Sequence, residues 1–102
     1  MNPRHCIKVD DFSQNELIDL FELTAELKHK YRTKEDFKPF RNHSMAMIFA
    51  KPSARTRVSF ETGFSWMGGH AIYLAPQDIG LGKRESASDL AQLFSRYNDL
   101  IM

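Results

Sequence analysis

A short segment of the chain places hydroxyl and guanidinium side chains at the predicted start of a helix. Ser53, Arg55 and Thr56 all fall within its first turn. Serine is a frequent helix cap, arginine presents a planar fork that matches two phosphate oxygens, and threonine adds a hydroxyl donor. The first turn of a helix also has backbone N–H groups without intrahelical acceptors and carries the positive end of the helix dipole. The pattern therefore predicts a binding site for phosphate or carboxylate.

The residues before this segment indicate where the ligand would lie. Residues 45–50 form a continuous apolar run, which predicts a buried strand, and Pro52 marks its end by biasing Lys51 toward an extended conformation. In α/β proteins, ligands bind beyond the carboxyl ends of such strands. A capped surface helix with two solvated arginines is the alternative interpretation, because motifs this short also occur by chance.

An earlier helix is indicated near the start of the chain. Ser13 and Glu16 have the spacing of a capping box, which predicts that a helix begins there. Apolar residues then recur at helical spacing and predict one face directed toward the core. That face comprises Leu17, Leu20, Phe21, Thr24, Leu27 and Tyr31. Residues 31–43 are charged and contain Pro39, so we expect a linker there.

The segment that follows Arg55 predicts a helix and then a strand. The apolar face of this helix comprises Val58, Phe60, Phe64 and Met67. Gly68 and Gly69 come next and can adopt the left-handed backbone that ends a helix. Residues 71–74 are apolar and predict a second strand.

The remaining residues repeat this alternation and define the fold class. Residues 75–85 contain Pro76 and two glycines, which predicts a flexible loop. Ser86 is expected to cap a helix that runs to about Tyr97, and residues 100–102 predict a third strand. The order after the N-terminal helix is β-α-β-α-β, which indicates an α/β protein with a parallel β-sheet flanked by helices.

Composition excludes several classes of function. The chain has 14 Lys and Arg against 13 Asp and Glu, a net charge of +1, so no broad positive field is available for nucleic acid. Its four histidines show no ligand spacing to one another or to Cys6, which argues against a metal site. No apolar run has membrane-span length, and no secretory signal is evident. We expect a cytoplasmic protein without a membrane or nucleic-acid partner.

The run over residues 45–102 resembles the aspartate and ornithine carbamoyltransferases. The resemblance rests on three segments: Ser53-Ala54-Arg55-Thr56-Arg57 with the following Ser-Phe-Glu, Leu81-Gly82-Lys83-Arg84-Glu85-Ser86, and Ser95-Arg96-Tyr97-Asn98-Asp99 with the following Leu-Ile-Met. Details such as Gly68-Gly69 are more similar to the ornithine enzymes of this family. The resemblance implies transfer of a carbamoyl group from carbamoyl phosphate to the side-chain amine of ornithine, giving citrulline and phosphate.

Roles for individual residues follow from the same resemblance. It implies that Ser53, Arg55 and Thr56, together with the backbone N–H of Ala54, bind carbamoyl phosphate. It also implies that Arg55 and Thr56 are catalytic because they polarise the carbonyl group, whereas Arg57 braces the loop. No metal and no organic cofactor is expected. Family members form homotrimers or multiples of trimers with shared sites, and Lys83 is a possible contact to the neighbouring subunit's ligand.

The resemblance covers one domain of a two-domain enzyme. A natural domain rarely ends on an apolar strand, so we expect residues 1–102 to be a carbamoyl-phosphate-binding domain that is incomplete at its C-terminus and lacks the amino-acid-binding domain. We expect such a fragment to be inactive alone and marginally stable, because three strands and three helices bury a modest core.

Two positions depart from the pattern of the family. Ala54 replaces the usual threonine and keeps only its backbone N–H. Gly80 stands where ornithine enzymes usually have a glutamine or histidine that reaches the neighbouring site. The alternatives are therefore a carbamoyltransferase for aspartate or another amine, and a non-catalytic paralogue that binds anions or forms oligomers.

Overall fold

The computed structural model describes residues 4–80 and 86–102. The chain divides into two compact units, Met1–Asp36 and Phe37–Met102. Within the described ranges, no helix is both long enough and apolar enough to cross a membrane. Lys83 and the rest of residues 81–85 lie outside these ranges, as does the corresponding part of the predicted loop.

The first unit contains one long helix. A 3-10 turn over Val9–Asp11 precedes helix α1, which covers Gln14–Arg32. The predicted capping box is confirmed, because the Ser13 hydroxyl accepts a hydrogen bond from the Glu16 backbone N–H at 3.2 Å and the Glu16 carboxylate accepts one from the Ser13 N–H at 2.9 Å. Local side-chain chemistry thus defines where α1 begins.

The prediction that α1 buries an apolar face is wrong. No residue of α1 is buried, and the side chain of Phe21 is 71% exposed. The reason is that residues 4–36 form one long helix and a single 3-10 turn, so the described part of this unit holds no second apolar layer against which the face could pack.

The second unit is a three-stranded parallel sheet with helices. Its strands are β1 (Ser44–Ile48), β2 (His70–Leu74) and β3 (Leu100–Ile101), and its helices are α2 (Ala54–Trp66), α3 (Pro76–Ile79) and α4 (Ala87–Tyr97). The strand order is β2-β1-β3, and β1 pairs in parallel with both neighbours. The predicted α/β class, with β-α-β-α-β order and a parallel sheet, is confirmed.

The core of this unit surrounds the central strand. Met45, Ala46 and Met47 are buried in succession, because β1 lies between two strands of a parallel sheet. Phe49 and Phe64 complete a cluster with Met45 and Met47. Partly buried residues packed against this cluster are Phe40, Ala71, Tyr73 and Met102.

Two glycines end α2 as predicted. Gly68 has a φ of +91°, a left-handed conformation that side chains other than glycine rarely adopt, and its N–H donates to the Ser65 carbonyl at 2.9 Å. Gly69 follows where the chain passes close to the Phe64 ring, since an added Cβ would lie 2.2 Å from that ring. The turn into β2 therefore depends on both residues.

The region after β2 differs in part from its prediction. Residues 76–79 form α3 rather than loop, because Pro76 suits the first helical position and the Asp78 carboxylate accepts a hydrogen bond from the Ala75 N–H at 2.8 Å. The next predicted helix is confirmed as α4, where the Ser86 hydroxyl accepts from the Asp89 N–H at 3.1 Å.

Candidate anion-binding site

The candidate site lies in the loop between β1 and α2. β1 ends at Ile48 and α2 begins at Ala54, so the loop leaves the carboxyl end of the central strand. This is the edge of a parallel sheet where ligands bind in open α/β folds. The sequence prediction of a strand, a loop and a helix at this place is confirmed.

Ser53 occupies the capping position but does not cap the helix with its side chain. Its backbone is extended, and its carbonyl accepts the first helical hydrogen bond from the Arg57 N–H at 3.0 Å. The hydroxyl instead donates to the Thr56 hydroxyl oxygen at 3.0 Å. The predicted serine cap is therefore wrong, because the Ser53 side chain is turned toward the Thr56 hydroxyl rather than toward a backbone N–H.

This arrangement leaves backbone donors available at the start of α2. Helix geometry gives the N–H groups of Ala54, Arg55 and Thr56 no intrahelical acceptor, and the Ser53 hydroxyl does not serve as one. The macrodipole adds partial positive charge at the same end. An anion can accept hydrogen bonds from these groups.

Arg55 is exposed at this helix end. Its guanidinium forms no hydrogen bond or ion pair with any residue of the described ranges. The planar group carries five N–H donors and stays charged at all physiological pH values. As far as the described residues go, it is therefore free to bind an anionic oxygen pair.

Arg57 has a different environment from Arg55. Its guanidinium carbon lies 3.8 Å from the centre of the Tyr73 ring, and its Nε lies 3.4 Å from a Glu61 carboxylate oxygen. The Arg57 side chain is thus held between α2 and β2. Sequence reasoning singled out Arg57 as a brace but did not identify Tyr73, which only the pairing of β1 with β2 brings to this place.

A cleft of about 480 Å³ borders the loop. Its lining comprises Pro52, Ser53, Ala54, Arg57, Val58, Glu61 and Tyr73. Two of the predicted ligand residues, Ser53 and Ala54, therefore face a common space, and Thr56 is joined to Ser53 by its hydroxyl. Arg55 does not line this cleft, so its flexible side chain has to turn to reach an anion there.

A second cavity of about 430 Å³ is unsuited to an anion. It is lined by Phe40, Met45, Ser59, Phe60, Gly63, Phe64, Met67 and Leu100. No charged side chain contributes to this lining, so a bound phosphate would lose its hydration without gaining a counter-charge.

The other residues singled out from the sequence are less informative. Lys83 lies outside the described residues. Gly80 ends α3 with a left-handed backbone, φ 56°, where a side chain would be strained. Over residues 4–80 and 86–102, no group of three His, Cys, Asp or Glu side chains is placed to hold a metal ion.

Comparison with known proteins identifies the family. Residues 4–102 match the family described as "Aspartate/ornithine carbamoyltransferase, carbamoyl-P binding domain". The chain is 53% identical over 97 residues to the chloroplastic ornithine carbamoyltransferase of Pisum sativum. The aligned region covers 94% of this chain and 26% of that protein.

Solved structures agree with this match. The ornithine carbamoyltransferase of Burkholderia thailandensis superposes with a TM-score of 0.91 at 41% identity, covering 98% of this chain and 34% of that one. The catalytic subunit of M. jannaschii aspartate transcarbamoylase gives a TM-score of 0.85 at 29% identity. This superposition covers 97% of this chain and 33% of the subunit. The chain thus spans about a quarter to a third of the length of these relatives. It belongs to the aspartate/ornithine carbamoyltransferase family, whose carbamoyl-phosphate-binding domain it matches.

Proposed function

We propose that this chain is the carbamoyl-phosphate-binding domain of an ornithine carbamoyltransferase and that Ser53, Ala54, Arg55 and Thr56 bind the substrate. The observation that carries the proposal is the open first turn of α2, where uncapped N–H groups adjoin Arg55, whose guanidinium has no partner among residues 4–80 and 86–102. Its position beyond the central strand is suited to a small phosphorylated ligand.

Ornithine is the preferred second substrate in this proposal. A relative named ornithine carbamoyltransferase is 53% identical to this chain, and of the two structures described above the ornithine carbamoyltransferase is 41% identical and the aspartate transcarbamoylase 29%. We also propose that residues 1–102 all belong to the carbamoyl-phosphate-binding domain. In this proposal the amino-acid-binding domain is a separate part of the whole enzyme.

The chemistry assigned to these residues is stabilisation of negative charge. The uncharged side-chain amine of ornithine attacks the carbonyl carbon, a C–N bond forms, the C–O bond to phosphate breaks, and the nitrogen loses a proton. Charge develops on the carbonyl oxygen and on the leaving phosphate. Arg55 and Thr56 donate to the carbonyl oxygen, while the Ser53 backbone N–H and the free N–H groups of α2 hold the phosphate. Phosphate leaves without help from a metal or organic cofactor.

Assembly is part of the same proposal. Because family resemblance implies sites shared between subunits, we propose a homotrimer or a multiple of trimers, in the cytoplasm, with Lys83 as the contact to a neighbouring site. Sedimentation equilibrium of the natural full-length protein measures the subunit number. A monomeric and active protein would contradict the shared site.

Ligand binding by the chain tests the site directly. We expect calorimetric titration with carbamoyl phosphate to show binding that Arg55→Ala weakens about 10- to 100-fold, because a charge-assisted hydrogen bond contributes roughly 1.5–3 kcal/mol. Arg96→Ala is the matched control, since it removes the same charge from an exposed position in the last turn of another helix, α4. Equal affinities for the two variants would reject the assignment.

Product analysis tests the reaction. With the natural full-length protein, formation of citrulline from carbamoyl phosphate and ornithine would support the proposal. Carbamoylation of aspartate instead would show that aspartate, and not ornithine, is the second substrate. Carbamoyl phosphate binding without turnover of either amine would favour the non-catalytic paralogue, for which Gly80 is the motivating departure.

A further inference from the structure

We propose that Tyr73 of β2 is a positioning residue that fixes both ends of the anion-binding loop, through Phe49 on one side and Arg57 on the other. This inference rests on the proposed function, because the loop that Tyr73 would position is the one assigned to carbamoyl phosphate. Tyr73 itself is not a ligand in this proposal.

The contact with Phe49 fixes the beginning of the loop. Phe49 follows the last residue of β1 and is 7% exposed. Its ring centre lies 5.3 Å from that of Tyr73 at an interplanar angle of 59°, a favourable arrangement for two aromatic rings. Its N–H also donates to the Leu74 carbonyl at 3.2 Å, next to Tyr73. The chain therefore leaves β1 attached to β2.

The contact with Arg57 fixes the end of the loop. The Arg57 guanidinium lies over the Tyr73 ring at 3.8 Å, within the range of a cation–π interaction, and Glu61 holds its Nε. Arg57 also donates the first helical hydrogen bond to the Ser53 carbonyl at 3.0 Å. Holding Arg57 in place therefore holds the turn that carries Arg55 and Thr56.

The two contacts converge on one side chain. Phe49 and Arg57 bracket residues 50–56, and both rest on the same ring. Tyr73 also borders the cleft that Ser53 and Ala54 line. A loop held at both ends keeps its donors close to the geometry that an anion requires, which reduces the ordering cost of binding. Both contacts involve the ring of Tyr73 rather than its hydroxyl, so a phenylalanine at this position should preserve them.

A set of variants separates positioning from general stability. We expect Tyr73→Leu to weaken carbamoyl phosphate binding about tenfold and Tyr73→Phe to leave it within about twofold. Phe64→Leu is the control, because it removes a ring of the same core cluster whose aromatic partner is Phe40 rather than Tyr73. All titrations are made at a temperature at which circular dichroism shows each variant folded. An equal affinity loss in Phe64→Leu and Tyr73→Leu would overturn the proposal.

The link through Arg57 has its own test. We expect the combined affinity loss of Tyr73→Leu and Arg57→Met to be smaller than the sum of the two single losses, because both variants remove the Arg57–Tyr73 contact while Tyr73→Leu also removes the contact with Phe49. Additive losses would show that Tyr73 does not act through Arg57 and would overturn the proposal.

A measurement without ligand keeps this inference distinct from the proposed function. We expect hydrogen exchange at the Arg57 N–H to be about tenfold faster in Tyr73→Leu than in the wild type or Tyr73→Phe. If wild-type chain fails to bind carbamoyl phosphate, the proposed function fails, and faster exchange still supports positioning by Tyr73. Unchanged exchange in Tyr73→Leu overturns positioning, whatever the binding results.

Discussion

The Ser53 hydroxyl donates its hydrogen to the Thr56 hydroxyl oxygen at a distance of 3.0 Å, within the first turn of α2. Because Thr56 accepts this hydrogen bond, its own hydroxyl hydrogen remains available to a ligand. The pair thus leaves one hydroxyl donor beside the free backbone N–H groups of the helix end. Neither side chain has to break a backbone hydrogen bond before an anion binds.

The Thr56 hydroxyl is expected to contribute to anion binding. We predict that Thr56→Val, which keeps the shape of the side chain, weakens carbamoyl phosphate binding about tenfold, because the ligand loses one hydrogen bond to a charged oxygen. Isothermal titration calorimetry measures the effect. Thr62→Val provides the control, since it makes the same change further along α2. Similar affinities for the two variants would show that the Thr56 hydroxyl does not contact the ligand.

The turn after α2 is expected to tolerate no side chain at Gly69. An alanine Cβ there would lie 2.2 Å from the Phe64 ring, which is 6% exposed and packed against Phe40, so the ring cannot move without disturbing the core. We predict that Gly69→Ala lowers the free energy of unfolding by about 1–3 kcal/mol, the usual cost of overpacking. Urea denaturation measures this quantity.

Gly63 supplies the matched substitution for this measurement. An alanine Cβ at Gly63, inside α2, meets no atom within 4 Å. Gly63→Ala should therefore raise the free energy of unfolding by about 0.5–1 kcal/mol through helix propensity. Destabilisation by Gly63→Ala as large as that by Gly69→Ala would contradict the steric explanation.

Acid is expected to loosen the start of α1. Hydrogen bonds from the Arg4 side chain and the Ser13 N–H lower the pKa of Glu16 from 4.5 to about 2. A carboxylate with a depressed pKa stabilises the folded state fully above its unfolded pKa and loses that contribution as the pH falls. The loss should therefore occur between about pH 4.5 and pH 2. Circular dichroism at 222 nm follows the helix over this range.

Glu16→Gln isolates this contribution from other carboxylates. Glutamine keeps an acceptor for the Ser13 N–H but carries no charge. Asp11 also has a lowered pKa, because the N–H groups of Ile7 and Lys8 bond to its carboxylate, but it titrates in both proteins. The variant should be less helical than the wild type at pH 6 and equal to it near pH 2. Parallel pH curves for the two proteins would refute the assignment to Glu16.

Local signals in the sequence located most elements of the fold. The Ser13–Glu16 and Ser86–Asp89 pairs each involve residues three positions apart, so their hydrogen bonds depend on little beyond the helix itself. The strands were placed within one or two residues because apolar runs mark a parallel sheet. The helix α3 was missed because the glycines after it indicated a loop over the whole region.

The site was less predictable than the elements that carry it. The sequence indicates the segment that contains Ser53 and Thr56 but not the partner of the Ser53 hydroxyl, since this group can bond either to a backbone N–H or to the Thr56 hydroxyl within the same turn. The Arg57–Tyr73 contact joins two elements and depends on how α2 packs on the sheet. The ligand roles of Ser53, Ala54, Arg55 and Thr56 stay predictions.

The central place of β1 has a consequence for the order in which the sheet forms. β1 is the first of the three strands along the chain, yet it needs one partner on each side. Ser44 and Asp99, which exchange hydrogen bonds where β1 and β3 begin to pair, are 55 residues apart. Closing so long a segment costs more chain entropy than pairing β1 with the nearer β2. We therefore expect β1 to pair with β2 more readily than with β3, so that the pairing with β3 is the later step in forming the sheet.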